Sequence, residues 1–440
     1  MMRMMSRTSR VSWMLPLLSV LLVAGMLLSV QTALASAGVI GSVDGAPPTY
    51  KGTRSCTAFP ITSKIDGISG QATVNDDGSR AVFWSTADYS ANNPDHNLEV
   101  FLAILDGETV LRYTQITSST GSVLGGFNLA PSISSDGRKV AFFSDRDLTG
   151  QNPDGNFEIF VADVSALGPT QLNGAVIIRQ VTQSTIGINI NPSISTDGQY
   201  VAFASDRDYA NNNSDANSEI FRAEVPTGDI TSGNIKMLQV TRTGADVNND
   251  FPAIGANGQQ VAFATNSNAA GSTSSGVYHA NIASNGGVIV TQIALFNSQT
   301  ANQIAISADG TRVAYASNQA DPSSSTTQVF LANVNLGSTQ IEQVTTLTNT
   351  NGASNSQPGL NADASRMVWV TTKGPTSSVM TGLSEVGDDS LSAGEAAAVR
   401  SELGSRANDH GEPAAIRHLS RRCEAGEIFR SSDEIGRAHV

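Results

Sequence analysis

APSISSDGRKVAFFSDRD, at Ala130–Asp147, and NPSISTDGQYVAFASDRD, at Asn191–Asp208, are two copies of one segment. Weaker copies read FPAIGANGQQVAFATNSN at Phe251–Asn268 and QIAISADGTRVAYASNQA at Gln303–Ala320. Degenerate ones read ATVNDDGSRAVFWSTAD at Ala72–Asp88 and QPGLNADASRMVWVTTKG at Gln357–Gly374. The turn glycines stand at Gly78, Gly137, Gly198, Gly258 and Gly310, with Ala364 in the sixth place, so the spacings are 59, 61, 60, 52 and 54 residues. A period of that length marks one supersecondary unit repeated as an array.

Within the second unit, Ser132–Ser134 reads as a short strand, Asp136-Gly137 as a hairpin turn and Lys139–Ser144 as a second strand. Asp-Gly between apolar alternations favours the hairpin because its central positions take positive φ. A polar loop over Asp145–Asn156 leads to a third strand, Glu158–Val164, and a variable loop leads to a fourth, Ile177–Thr182. The third strand recurs as EVFLAIL (Glu99–Leu105), EIFRAEV (Glu219–Val225), GVYHANI (Gly276–Ile282) and QVFLANV (Gln328–Val334).

Four short antiparallel strands per repeat form the blade of a β-propeller. The reading is therefore all-β, a six-bladed propeller of four-stranded antiparallel blades. An extra "IT" strand, Pro60–Thr62, precedes the first turn, and the sixth unit has no recognisable fourth strand after Ser378–Gly382. Closure by the N-terminal strand, completing the last blade, is the economical expectation because it removes exposed sheet edges.

The proline-led strand, Asp-Gly turn, "VAF-x-S", Asp-Arg and "EIF" strand resemble the TolB-like, WD-repeat-like propeller repeat of secreted bacterial proteins. That resemblance spans about residues 57–385. It implies a fold; such propellers serve as periplasmic scaffolds, secreted binding proteins and substrate-gating domains of peptidases, so it does not choose a function.

The ends of the chain have a different character. Arg3, Arg7 and Arg10 precede the apolar run Trp13–Val30, and Ala33-Leu34-Ala35 or Ala35-Ser36-Ala37 offers a cleavage site. Residues 1–37 thus read as a signal peptide, cleaved rather than kept as an anchor, and 38–56 as a linker. The protein is expected to be secreted or periplasmic, with no membrane span after cleavage. Residues 386–440 read as a tail, disordered or partly non-native, since Glu434–Val440 (EIGRAHV) resembles the translation of a sequencing-library adapter. Cys56 and Cys423, near opposite ends, give no disulfide framework.

The formal net charge is −13, and loss of the three leader arginines makes it −16. Such an acidic chain with few lysines is unsuited to nucleic acid, whose phosphates need neutralising.

The most distinctive chemical motif is the run N-x-D-x-N-x-E after the second strand. In the second unit it comprises Asp145, Asp147, Asn152, Asp154, Asn156 and Glu158; in the third, Asp206, Asp208, Asn213, Asp215, Asn217 and Glu219. The first unit has Asp88, Asn93, Asp95, Asn97 and Glu99. Oxygen ligands two residues apart resemble the opening of Ca²⁺ loops, and oxygen donors without Cys or His favour that ion. The competing reading is turn chemistry, because Asn and Asp side chains bond nearby backbone amides. The Asp-Arg pairs at Asp145 and Asp206 either present charge at the mouth of the ring or brace the blade edge.

Catalytic constellations are hard to find. His96, His279, His410, His418 and His439 show no zinc spacing, and there is no nucleophile elbow, P-loop or dinucleotide fingerprint. The sequence reads as a non-enzymatic, monomeric scaffold that binds a protein, a cell-envelope component or a glycan at one propeller face. The alternatives are a carbohydrate lyase or hydrolase with its site in the central channel, or a calcium-stabilised structural module. A channel of clustered charge would favour the enzyme and a bland lining the scaffold.

Overall fold

The computed structural model describes residues 59–62, 64, 66–107, 109–121, 126–169, 174–267, 274–297, 302–319, 326–335, 338–345, 354–360, 362, 364, 366–372, 380–385 and 419–420. The expected signal segment and linker, both cysteines and nearly all of the tail fall outside these residues. Among the described residues no helix is long and apolar enough to cross a membrane.

A two-residue strand, β1 (Phe59–Pro60), comes first. The first blade is β2 (Ser69–Val74), β3 (Arg80–Ser85), β4 (Glu99–Asp106) and β5 (Thr109–Gln115). The second is β6 (Asn128–Ile133), β7 (Lys139–Ser144), β8 (Glu158–Asp163) and β9 (Ile177–Gln180). The third is β10 (Asn189–Ile194), β11 (Tyr200–Ser205), β12 (Glu219–Glu224) and β13 (Lys236–Gln239). The fourth is β14 (Val247–Ile254), β15 (Gln260–Ser267), β16 (Ser274–Ile282) and β17 (Val288–Asn297). The fifth is β18 (Asn302–Ile306), β19 (Arg312–Ser317), β20 (Gln328–Asn335) and β21 (Ser338–Gln343). Then come β22 (Ser354–Leu360), β23 (Arg366–Thr372) and β24 (Met380–Glu385), and last β25 (Leu419–Ser420).

The fold is an all-β propeller of four-stranded antiparallel blades, and it corrects the expected count. Five blades have four strands; the last sheet has three, in the order β22-β23-β24. Among the described residues the N-terminal strand does not pair with this sheet. Its backbone pairs with β25, Phe59 opposite Ser420 and Pro60 opposite Leu419. Ile61, fully buried, packs on the first blade against Phe83 and Phe101. The Tyr113 hydroxyl donates to the Ile61 carbonyl. Relative to the first blade, Ile61 stands where Ile116 stands relative to the second, beside Phe142 and Phe160.

The middle strands are largely apolar because neighbouring blades cover both of their faces. Val82, Val100 and Leu102 of the first blade meet Val140, Phe142 and Phe160 of the second. On the far face, Phe143, Ile159 and Val161 meet Phe203 and Phe221 of the third. The phenylalanine of "VAF" stacks on that of "EIF": Phe83 on Phe101, Phe142 on Phe160 and Phe203 on Phe221, with centroids 5.7–5.9 Å apart. Phe263 with Tyr278 and Tyr315 with Phe330 repeat the pair in the fourth and fifth blades. Each is worth ~1 kcal/mol beyond its area.

The Asp-Gly turn has two physical causes. In the second blade, Asp136 Oδ1 accepts from Ser134 Oγ at 2.6 Å and from the Arg138 amide at 3.0 Å, closing the turn. Gly137 then takes φ +70°, and a Cβ there would lie 2.6 Å from Cδ of Arg80 in the preceding blade. Gly258, at φ +70°, would meet the Tyr200 ring at 2.4 Å in the same way. Backbone bonds link these turns from blade to blade, Asp76 N to Ser135 O (3.2 Å) and Ser135 N to Thr196 O (3.1 Å) among them.

Seven residues before each turn position, the innermost strand carries a bulge. Gln71, Ala130, Asn191, Phe251, Gln303 and Gln357 all take φ between +46° and +60°, and the strand register shifts there in every sheet. A left-handed non-glycine residue is strained, so the repeat imposes the same bend six times.

Candidate binding face and channel

The loops after the second strand are built by their own hydrogen bonds. Asp147 Oδ1 accepts the Asn152 amide at 2.9 Å, and Asp208 Oδ1 accepts those of Asn212 and Asn213 at 2.6 and 2.9 Å. Asn152 Nδ2 donates to Asn156 O at 2.9 Å, and Asn213 Nδ2 to Asn217 O at 2.9 Å. Asn156 Nδ2 reaches Ser184 O at 2.9 Å, and Asn217 Nδ2 reaches Val247 O at 2.7 Å. Asp154 and Asp215 lie exposed on the loop tips. The first loop repeats the plan, Asp88 Oδ1 accepting the Asn93 amide at 3.0 Å.

The closing glutamates face inward. Glu158 is fully buried, and its carboxylate accepts from Thr182 Oγ1, the Ser184 amide (2.6 Å), Ser184 Oγ (2.7 Å) and Asn189 Nδ2 (3.0 Å). Glu219 is held by Thr241, Thr243, Asn217 and Asn249, and Glu99 by Thr117, Ser119 and Asn128. In every case one asparagine, Asn128, Asn189 or Asn249, belongs to the next blade. The carboxylate is a clasp between blades, and burial raises the Glu99 and Glu158 pKa values against the pull of these donors.

The fifth blade keeps the clasp with an amide: Gln328 Oε1 accepts Thr345 Oγ1 at 2.8 Å and Asn355 Nδ2 at 3.1 Å. In the fourth, the register position is Gly276. These partners were not singled out in the sequence. Their signal was there, in the "Q-[IV]-T" strand ends and the asparagine ahead of each inner strand, both recurring with the blade period.

The twelve motif residues therefore divide into loop braces, exposed tips and buried clasps. Among the described residues no group of three His, Cys, Asp or Glu side chains converges as a metal site would require. Each loop does leave two buried amide oxygens without a donor: Asn93 and Asn97, Asn152 and Asn156, Asn213 and Asn217. Such pairs suit a bridging water's two hydrogens or the partial shell of a cation.

The Asp-Arg pairs brace the entry to each inner strand. Asp145 Oδ1 accepts the Phe127 amide at 2.7 Å, and burial raises its pKa. Asp206 Oδ1 accepts the Ile188 amide at 2.9 Å and Arg207 Nε at 2.6 Å. His279 is buried within β16, and desolvation lowers its pKa against a hydrogen bond with the Gly310 backbone.

The six inner strands carry one charged residue, Asp250. Its Oδ1 accepts Asn191 Nδ2 at 2.8 Å and the Phe251 amide at 2.7 Å, and burial raises its pKa. The strained bulge residues of these strands, Gln71, Ala130, Asn191, Phe251, Gln303 and Gln357, are uncharged. Gln71 stitches two blades, accepting Trp84 Nε1 at 3.0 Å and the Ala130 amide at 3.2 Å.

The chain matches no protein-family model and no curated protein. Solved structures of similar shape include TolB from Acinetobacter baumannii, at 20% identity and a TM-score of 0.42 over 71% of this chain and 62% of that one. The chain thus spans less than two thirds of that protein. An oligogalacturonate lyase in complex with manganese is similar at 14% identity and TM-score 0.44, over 76% and 84% of the two chains. Prolyl oligopeptidase B from Galerina marginata is similar at 11% identity and TM-score 0.46, over 76% and 43%. Function has to be argued from the residues of this chain.

Proposed function

We propose that this protein is an extracytoplasmic propeller scaffold that binds a protein, envelope or glycan ligand at the face where its second-to-third-strand loops emerge. The observation that supports this reading most is the inner-strand lining. Six strands carry a single carboxylate and otherwise offer neutral carboxamides, hydroxyls and apolar groups. Acid–base cleavage of a glycosidic bond calls for a pair of carboxyl groups, whereas neutral hydrogen-bonding groups on a rigid frame suit recognition.

The buried clasps add rigidity at the base of those loops, which lowers the ordering cost of binding. The leader with Arg3, Arg7 and Arg10 supports export.

The test is site-specific photocrosslinking from Gln357 or Asp154 in the exported protein, with Lys236 on the outer rim as control. One discrete adduct from the face positions and none from the rim is the expected result. Adducts only from the rim, or turnover of oligosaccharides with release of unsaturated or reducing ends, would replace this reading.

A further inference from the structure

The outer strands of the five complete blades differ in one respect. β5 carries Arg112, β9 Arg179, β13 Lys236 and β21 Glu342. Charges on an edge strand keep other strands from pairing with it. β17 carries none; it reads VIVTQIALFN, and at ten residues it is the longest strand described.

Three of its apolar side chains are turned outward as well. Ile289 is 68%, Val290 45% and Leu295 48% exposed, which puts three of the eight exposed large hydrophobics among the described residues on this one strand. Val290 opposes Ala280 and Leu295 opposes Gly276, so the two share a face of the sheet. Among the described residues β17 is terminal in its sheet, paired only with β16, and its outer row of amides and carbonyls meets no strand.

The whole blade is unusual. No Asp, Glu, Lys or Arg occurs between Asp250 and Asp309, although charged residues make up 15% of the chain. The clasp is missing from the same blade, where Gly276 replaces the glutamate.

We propose that β17 pairs antiparallel with β17 of a second copy, joining two fourth blades into one eight-stranded sheet across a twofold axis. The occupant follows from charge. With a formal net charge of −13, two copies repel wherever charged surfaces approach within about 8 Å, the screening length at physiological salt. The uncharged rim of the fourth blade is where that repulsion is least. A twofold axis lets one strand supply both the donors and the acceptors, and it sets Val290 and Leu295 of each copy on one face of the joined sheet and Ile289 on the other. The proposal replaces the expectation of a monomer and is independent of the ligand face.

Sedimentation velocity on the full exported chain tests it, over a concentration series reaching about 100 μM, near the weak end of specific association. Ile289→Lys and Leu295→Lys, made separately, place a like charge on each side of the axis. Both sites are exposed, so circular dichroism and melting temperature are expected to stay at wild-type values. The expected result is a reversible dimer whose dissociation constant rises at least ~10-fold in each variant, with dimer-dependent hydrogen-exchange protection of amides in 288–297. A monomer throughout the series overturns the proposal and leaves the edge to a different strand. A dimer equally stable in both folded variants overturns it too, because the contact then lies elsewhere.

Discussion

Asn189 Nδ2 donates to the Glu158 carboxylate at 3.0 Å, tying the first strand of the third blade to the third strand of the second. With Thr182 and Ser184 it fills the carboxylate's acceptor positions inside a fully buried site. The same arrangement at Glu99 and Glu219 makes the joints between the first four blades chemically alike.

Glu158→Ala removes the acceptor of the Ser184 amide and of the Thr182 and Ser184 hydroxyls, and a loss of ~3 kcal/mol is expected. Glu158→Gln is expected to cost about half as much, because one oxygen remains and Gln328 serves the equivalent joint. Urea denaturation of the two variants measures this. Equal losses would show that the clasp chemistry is irrelevant to stability.

Asp250 gives a pH dependence of definite sign. Burial holds its folded pKa above the ordinary value of 3.8. A raised folded pKa contributes stability that is present in full below 3.8 and is lost as pH rises through the folded value. Asp250→Asn keeps an acceptor for Asn191 and cannot titrate. Its melting temperature is therefore expected to fall less than wild type between about pH 4 and 7. Parallel profiles for the two proteins would remove Asp250 from the titration.

The turn position offers a paired substitution. Gly258→Ala puts a Cβ 2.4 Å from the Tyr200 ring at φ +70°, and a loss of at least ~2 kcal/mol is expected. Ala364, at φ +55°, already carries that strain in the sixth unit. Ala364→Gly is expected to gain up to ~1 kcal/mol. Thermal unfolding of both settles it, and a destabilised Ala364→Gly would mean the Ala364 methyl packs for more than its strain.

Calcium has little to bind in the loops as built. The ion takes six to eight oxygens, whereas Asp147 and Asp208 already hold backbone amides and Glu158 and Glu219 face the core. Millimolar calcium or excess chelator is expected to move the melting temperature by no more than about 1 °C. A rise of several degrees on adding calcium would assign the paired asparagine oxygens to a metal.

Much of the fold was legible because its determinants are local. Asp-Gly turns, "VAF" strands and "EIF" strands predict hairpins, and the hairpins stand where the repeats place them. The last sheet was not legible in the same way. Whether Pro60–Thr62 joins β24 depends on a partner more than three hundred residues away, and local propensity carries no information about such a pairing. The loops stayed open between two readings for a related reason: Asn152 and Glu158 look alike as oxygen donors, and only burial separates a loop brace from a clasp.

The sequence by itself determined the repeat, its period, the strands within each unit and the acidic charge, because each of these rests on neighbours along the chain. Tertiary structure alone decided which side of each strand another blade covers. From that follow the inward turn of Glu99, Glu158 and Glu219, the bend at the six inner-strand bulges, the pairing of β1 with β25, and the exposure of β17. These are consequences of packing between units, where the partner of a residue is distant in sequence and within hydrogen-bond reach in space.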